Sequence, residues 1–583
     1  MSKVHLSLDQ TLLVRALNST KQSYFPTYVG LRILGSQLVK QESNFLDRLL
    51  SRRLVAGEKW RYQSFDMYKG STITKNGLEH EYRSCLAPSP ITSLAEAAIL
   101  MQLAALPAFS PASRAYSYQW PSTRTAGVSY RYFIEGYKER NRDVATALDV
   151  PGTIAVITDI RKFYPSATKD QARHVFRELF NGSKKNERIH EDSITGFFEQ
   201  MLDISIKGIP VGPATSHILG HLVLRDVDAE LTSAYGSNYF RYVDDIVVVC
   251  AASQEQQVKN CISQCLLRNG FEINDEKTTI ASAQAWNHSM LQDDVQKDEN
   301  FRGFTQDLVV YLALHPDRAN ELKSMFSENG FSISIDRLKA LAAYPRFQYF
   351  LKRRKSPQGL THALEIWLSK NVDFLKRAVR IKKTYEELLP VLINNNKSSM
   401  DNHERWQIQR VRRIVNSLFY LRNFGEWSGE QEVFQAFPEL VEQAALAQAL
   451  VSGTVNPILP FYGRGPAAFA ELWKAHGTTN AQLEPVKNIN NATLDSLGSL
   501  RLSAIISENS VDEQGVEKRL PGLISEASPL KRSSPNLSFE DELESLRLGR
   551  SGQEIAELIK TRYSNEEGTA LDALSLLSSE YRS

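Results

Sequence analysis

Apolar and polar residues follow two different rhythms along this chain. In the first half, short apolar runs sit between turn residues. In the second half, amphipathic helical spacing takes over and continues to about Leu500. Ser93–Leu106 (SLAEAAILMQLAAL) predicts a helix, with Ser93 as its N-cap and APSPIT as its lead-in. Aromatic and β-branched residues near Thr125–Gly136 predict strands. Gly152–Ile160 (GTIAVITDI) is a nearly continuous Val/Ile-rich run and fits a fully buried strand; its last residue but one is an Asp. Phe163–Tyr164–Pro165 breaks that run, and Lys169–Phe180 then follows helical spacing. Ser205–Pro213 is punctuated by Gly and Pro and reads as a loop, with a helix over His217–Leu231. Tyr239–Val249 (YFRYVDDIVVV) predicts a hairpin whose arms meet at Asp244–Asp245. Val258–Leu267 reads as a helix, and Phe271–Ile280 as a turn followed by a strand.

The helical half is interrupted at PRF, SPQG, NNNKSS and NPILPFYGRGP, without a fixed-period repeat. Ser507–Phe539 is rich in Ser, Pro and Glu, the composition of a flexible linker, and two short helices close the chain.

At 583 residues the chain exceeds a single core, so several domains are expected. The net charge of +2 hides an uneven distribution. Leu341–Tyr420 holds 16 Lys+Arg against 6 Asp+Glu, the footprint of a phosphate-binding face. The 4 cysteines show no C-x2-C pairing, which argues against a zinc site. Cys261 and Cys265 share a helix face and read as small core residues in a reducing compartment. The N-terminal MSKVHLSLDQTLLVRAL lacks a signal-peptide core. No run of about 18 apolar residues suggests a membrane span, so the expected location is cytoplasmic, with no membrane partner.

The chemistry lies in a constellation. A buried strand ends near Asp159, a hairpin tip carries Asp244–Asp245, and GIPVGP lies between them. Nucleotidyl transfer uses two divalent ions roughly 4 Å apart, clamping the attacking 3′-oxygen and the leaving pyrophosphate oxygen. Hard Mg²⁺ favours carboxylates. Asp159 and Asp244 are therefore the expected bridging ligands, with Asp245 auxiliary. An isolated Asp-Asp pair is usually a solvated turn or a helix cap. Between apolar arms, however, its charge is costly unless something such as a metal neutralises it.

On these residues the chain resembles reverse transcriptases. TDIRKFYPS looks like that family's first palm motif, GIPVGPATSHILGHL its second and YFRYVDDIVVV its third. GFEINDEKTT, with Asn274, Lys277 and Thr278, resembles the fourth. The motifs keep the family's order across roughly residues 80–290. Within the family, GPATSHILGHLVLRDVD and the long helical half are most similar to the bacterial defence-associated, abortive-infection type. The resemblance implies an α/β fingers–palm polymerase of right-hand, reverse-transcriptase-like form, followed by an all-α C-terminal region for which a helical-repeat array stays open. The expected segments are 1–150, N-terminal region and fingers; 151–300, palm; 301–505, helical thumb or C-terminal domain; 506–540, flexible linker; and 541–583, helical tail.

The implied activity is Mg²⁺-dependent DNA synthesis, an RNA-directed DNA polymerase acting in antiphage defence. Protein-primed and template-independent synthesis occur in the resembled group. Two ions of Mg²⁺, or of Mn²⁺, are the implied cofactor. The implied partners are deoxynucleoside triphosphates, RNA or single-stranded DNA, and a second copy or an accessory defence protein. Two rivals stand beside this reading: a retron- or intron-type enzyme copying a dedicated RNA, and a catalytically silent nucleic-acid-binding scaffold. The absence after about residue 300 of a ribonuclease H carboxylate set, an H-N-H nuclease, a Cys/His zinc cluster or a Walker loop argues against a mobile-element enzyme with its own endonuclease.

Carried over residue by residue, Asp159, Ile160, Asp244 and Asp245 occupy the metal positions, and Lys277 is the candidate proton donor to pyrophosphate or else an exposed turn lysine. Tyr164 matches the steric gate that disfavours a 2′-hydroxyl. Phe163 beside it is a nucleotide-site candidate or a core aromatic. Gly208, Pro210 and Gly212 shape the loop under nucleotide and template, where Val211–Gly212–Pro213 lacks the family's common Gln. Arg131, Lys138, Arg140 and Arg142 are candidate triphosphate cations, although a solvated basic face explains them equally well. Arg241 is expected to hold the hairpin by charge pairing.

Farther on, Lys352, Arg353, Arg354 and Lys355, then Lys376–Lys383, then Arg410, Arg412 and Arg413 form basic clusters. Tyr349, Phe350, Trp367, Phe374 and Trp406 are interleaved with them. Cations and rings together suit single-stranded nucleic acid, while any one helix is explained by rings turned in and charges turned out.

Overall fold

A computed structural model describes residues 8–20, 24–38, 59–74, 77–122, 127–182, 191–287, 301–336, 338, 357–396, 404–429, 431–461, 469, 472, 480–483, 510–513, 541–543 and 546. The chain divides into two compact units. The first comprises residues 1–64, 84–294 and 528–548, and the second 65–83, 295–527 and 549–583.

The first unit opens with helices α1 (Leu8–Thr20) and α2 (Phe25–Leu38). A hairpin of β1 (Tyr62–Thr74) and β2 (Gly77–Pro88), whose residues 65–83 belong to the second unit, leads to α3 (Pro90–Leu103). Then come α4 (Phe133–Leu148), β3 (Thr153–Asp159), α5 (Lys169–Gly182) and α6 (Glu191–Ile204). They are followed by α7 (Ala214–Val223), α8 (Arg225–Tyr235), β4 (Tyr239–Tyr242), β5 (Asp245–Ala251), α9 (Glu255–Arg268) and β6 (Thr279–Ser282).

Strands β4, β5, β3 and β6 form one sheet in that order, with every neighbouring pair antiparallel. Val144, Ala145 and Leu148 of α4 pack on Ala155, Phe240, Val247 and Val249 of this sheet. Helix α9 packs against β3 and β5. Because helices cover the sheet this way, β3 and β5 read as unbroken apolar runs rather than as alternation.

Three local expectations change. Helix α3 begins at Pro90, and its N-cap is Ser89, whose Oγ accepts from the Thr92 amide, not Ser93. Proline at the first helical position has its φ preset and no amide hydrogen to leave unpaired, so the start moves forward. Around Thr125–Gly136 no strand appears among the described residues, and Phe133 opens α4. The face carrying Tyr137 and Val144 packs on β4, and this packing overrides local β propensity. The helix expected over His217–Leu231 is broken at Leu224 (φ −98°, ψ 6°) into α7 and α8.

One contact joins distant parts of the sequence within this unit. Glu542 is buried at the start of α3, where its carboxylate accepts from the Ile91 amide and the Ser89 hydroxyl, each at 2.8 Å. The Arg61 guanidinium pairs with it at 2.9 Å. A carboxylate at a helix N-terminus satisfies amides that the helix itself cannot reach.

The second unit is built largely of helices, including α10 (Phe301–Leu314), α11 (Ala319–Glu328), α12 (Pro357–Leu368), α13 (Asn371–Asn396), α14 (Glu404–Leu421), α15 (Gln431–Ala436) and α16 (Val441–Ser452). Phe304, Leu308, Phe374, Val415, Leu418 and Leu446 lie in its core. Short strands β7 (Asn480–Leu483) and β8 (Ser510–Glu513) pair in parallel, the first inside the stretch expected to be helical and the second inside the expected linker. Each strand satisfies the other's backbone groups, a non-local gain that local composition does not register. Among the described residues, no helix is long and apolar enough to cross a membrane.

Candidate active site

Asp159 ends β3 and Asp245 begins β5, directly opposite each other in the antiparallel register. Asp244 occupies the turn before β5. Oxygens of all three carboxylates lie within 4.8 Å of one another, the only such ligand group of three or more among the described residues. Burial, with the charges of Asp245 and Asp159 added, pushes the Asp244 carboxyl up from 3.8 to about 8. The donor set fits hard divalent cations, since all three side chains offer oxygen and the charge they share is undercompensated. Ile160 donates its amide to the Asp244 carbonyl at 3.2 Å, and its side chain is buried, so only its carbonyl could ligate. Lys277 Nζ lies 2.5 Å from Asp159 Oδ2, with Asn274 Nδ2 at 3.3 Å from the same oxygen.

The hairpin turn is strained. Val243 has φ +56°, a left-handed conformation that a β-branched residue rarely adopts. Its amide donates to Ser117 Oγ at 2.9 Å, and its carbonyl accepts from Arg241 Nη1 at 2.8 Å. The expected charge pairing of Arg241 is with Asp228, through Nε to Oδ1 at 2.6 Å and Nη2 to Oδ2 at 2.5 Å, both side chains fully buried. Tyr239 donates its hydroxyl to the same Asp228, and His221 donates Nε2–H to the Ser117 carbonyl while its Nδ1 accepts from Arg241. Sequence reasoning missed Ser117, His221 and Asp228. His221 stands in the second motif and Asp228 six residues beyond it, and only their burial beside Arg241 gives them a role.

Phe163 is buried against Phe271 and Gly220, as a core aromatic. Tyr164 is half-buried, with its hydroxyl 3.0 Å from His217 Nδ1. Pro210 is buried in the loop. Gly208 (φ +63°) and Gly212 (φ +118°) are needed for backbone packing inside the protein: a Cβ would stand 2.4 Å from the Tyr164 carbonyl oxygen at the first and 2.2 Å from that of Leu86 at the second. Glu96 anchors the following helix by accepting from the Ala214 amide and the Thr215 hydroxyl, and its burial pushes it up to about 7.

The cation candidates separate. Arg131 is paired with Glu135 and Glu139. Arg140 is buried, with its guanidinium over the rings of Tyr137 and Tyr242, and so serves the fold rather than a triphosphate. Lys138 and Arg142 are exposed.

Lys352, Arg353, Arg354, Lys355, Tyr349 and Phe350 lie outside the described residues, as does the Trp406 side chain. Trp367 is exposed, Phe374 is buried, and Arg377 is tied to Asp307. Arg410, Arg412 and Arg413 lie on α14, where Arg412 donates to the Glu439 carbonyl. That basic stretch therefore combines core rings, structural cations and exposed groups.

The raised Asp244 carboxyl has a measurable sign. Its folded value lies above its unfolded one, so without metal this group lowers stability as pH rises from about 4 to about 8. A cation bound there displaces the proton. Titration calorimetry with Mg²⁺ in buffers of different ionisation heat is expected to show proton release at about pH 7 and little at about pH 9.5. Buffer-independent heats at the lower pH would remove Asp244 from the ligand set.

Residues 129–315 match the family model described as reverse transcriptase (RNA-dependent DNA polymerase). The match spans Asp159, the Gly208–Gly212 loop, the Asp244–Asp245 hairpin and Lys277, and covers less than half of the 583-residue chain. This region is a reverse-transcriptase-type polymerase domain with RNA-directed nucleotidyltransferase activity, a class that generally uses divalent metals. No curated protein matches the chain. Among solved structures, it is similar to a telomerase from Candida albicans in complex with a fragment of telomeric RNA, at 11% identity over 69% of this chain and 68% of that one, with a TM-score of 0.25. A second is an apo telomerase from Candida tropicalis, at 11% identity over 74% of this chain and 72% of that one, with a TM-score of 0.28.

Proposed function

We propose that this protein is a Mg²⁺-dependent DNA polymerase of the reverse-transcriptase type that acts in bacterial antiphage defence by abortive infection. The observation that carries the polymerase reading is the Asp159, Asp244 and Asp245 cluster, set at abutting strand ends of a covered sheet. These carboxylates, with the Ile160 carbonyl, would hold Mg²⁺. When bound, the metal supplies Lewis-acid charge at the 3′-oxygen and the leaving pyrophosphate. The chain's own part is placement. Arg241 and Ser117 fix the turn that presents Asp244, and Lys277 stands at Asp159 as a proton donor. Tyr164 closes the sugar pocket against a 2′-hydroxyl. The proposed arrangement is a right hand, with fingers within 1–150, palm within 151–300 and a helical thumb within 301–505. The exposed cations and Trp367 of the helical half suit single-stranded nucleic acid. The defence role is supported by the wording GPATSHILGHLVLRDVD and by the long helical half that follows the palm.

The test combines purified protein, Mg²⁺ and labelled deoxynucleotides without template or primer, beside Asp244→Ala and Asp245→Ala. Products are digested with protease, RNase and DNase, and then sequenced. DNA made only by the intact enzyme supports the polymerase. A protein-linked product indicates protein priming, and one defined sequence indicates a bound or built-in template. If added primer–templates also yield nothing from folded protein, the scaffold reading replaces this one. Phage plating on cells carrying either variant tests the defence role, which requires protection to disappear with synthesis.

A further inference from the structure

A cluster of rings behind Tyr164 takes no part in metal or phosphate chemistry. His217 lies in the first turn of α7, where its Nδ1 meets the Tyr164 hydroxyl at 3.0 Å. Its ring lies flat on Tyr118, with centroids 3.8 Å apart and planes 10° apart. Tyr130 stands edge-on to the same ring at 5.9 Å. Tyr130 is itself stacked on Trp120 and donates its hydroxyl to the Ala214 carbonyl at 2.9 Å. Tyr118 holds its place in a left-handed backbone conformation, φ +46°. The imidazole is thus clamped between rings, and it presents one nitrogen to Tyr164.

We propose that His217 is a specificity-determining positioning residue, which fixes the Tyr164 ring through its hydroxyl and so sets how strongly the site prefers deoxynucleotides over ribonucleotides. This rests on reading Tyr164 as the sugar gate. A tyrosine ring has a broad, soft χ2 torsion, and its hydroxyl is the handle farthest from the backbone. Rejecting a single hydroxyl group requires the blocking ring to be held to within a fraction of an ångström. A hydrogen bond to a clamped partner supplies that hold, whereas packing alone leaves the ring free to swing. Burial pushes the His217 imidazole down to about 3, so the partner stays neutral and the preference is expected to be flat across neutral pH.

The experiment measures kcat/KM for dATP and ATP in single-nucleotide addition by the full chain. His217→Phe keeps a ring on Tyr118 but removes Nδ1. It is expected to lower the preference by about 10-fold, through a lower KM for ATP. Tyr164→Phe is expected to do the same, and the double variant no more than either. His217→Asn places an amide where Nδ1 stood and is expected to recover most of the preference. A residue that only supported the fold would slow both nucleotides alike. Tyr164→Ala tests the gate itself. If it abolishes the preference while His217→Phe leaves it unchanged, or if the two single effects add, the proposal is overturned and the gate reading survives. If Tyr164→Ala leaves the preference intact, the gate reading falls first. Should His217→Phe fail to fold, an unchanged preference in Tyr164→Phe overturns the proposal by itself.

Discussion

Asp244→Asn is expected to reduce nucleotide addition by on the order of 10³-fold or more and, in the same protein, to raise the melting temperature in metal-free buffer near neutral pH. Both effects come from one cause. Asp244 is half-buried beside Asp159 and Asp245, and folding places mutually repelling carboxylates together. The repulsion is useful only when a cation is bound, because it then becomes metal affinity. The amide is nearly the same size, removes one charge and relieves the repulsion, but it no longer offers an anionic oxygen to a divalent cation. Single-turnover addition, together with thermal melts in EDTA and in Mg²⁺, measures both halves. Mg²⁺ should stabilise the wild type markedly and the variant weakly. Retained synthesis, or a lower metal-free melting temperature, would contradict the assignment.

Arg241→Ala is expected to cost about 3–5 kcal/mol, because it leaves the Asp228 carboxylate buried without its cation. Removing the guanidinium also releases the Val243 carbonyl, so any folded fraction should synthesise poorly. Arg241→Lys is expected to rescue little, since an ammonium cannot make the forked contact to Asp228 and also reach the turn. Ser117→Ala separates the two roles. It removes only the acceptor for the Val243 amide, so stability should fall by about 1–2 kcal/mol while kcat falls with nucleotide KM little changed. Denaturant melts and steady-state kinetics on these variants test the ranking. An Arg241→Ala protein as stable as wild type would show that the network does not hold the hairpin.

Much of the catalytic sheet is visible in the sequence because its strands are short, Val/Ile-rich and end in charge. GTIAVITD and DIVVV cannot bury that charge without a purpose, whereas the register that sets Asp159 opposite Asp245 emerges only when the strands pair. What supports the site is far less legible. Ser117 and Val243 are 126 residues apart, and nothing in the local pattern around Ser117 marks it. The Gly-rich spacing at 208 and 212 suggests close approach to a ligand, while the folded chain uses these glycines to make room for the carbonyls of Tyr164 and Leu86, a demand that only packing reveals. Charge alone sets Arg140 beside Arg131, Lys138 and Arg142 as a triphosphate candidate, whereas its burial against the rings of Tyr137 and Tyr242 places it in the core. Charge and turn chemistry are local signals. Ring stacking and backbone approach are not.

The cap that Glu542 places on α3 has a consequence for the order in which the protein can be completed. A ribosome finishes the α/β sheet and its helices by about residue 290, yet Arg61, Ser89 and the Ile91 amide still lack their acidic partner. That partner emerges about 250 residues later, roughly 10–50 s at ordinary elongation rates. During this interval the nascent polymerase carries a buried-type cation and open helix amides at its surface, and its lowest-energy form is out of reach. Its final stability arrives only when the helical half has been made, so a transcript or chain interrupted in that half yields a catalytic region that is present but unlatched.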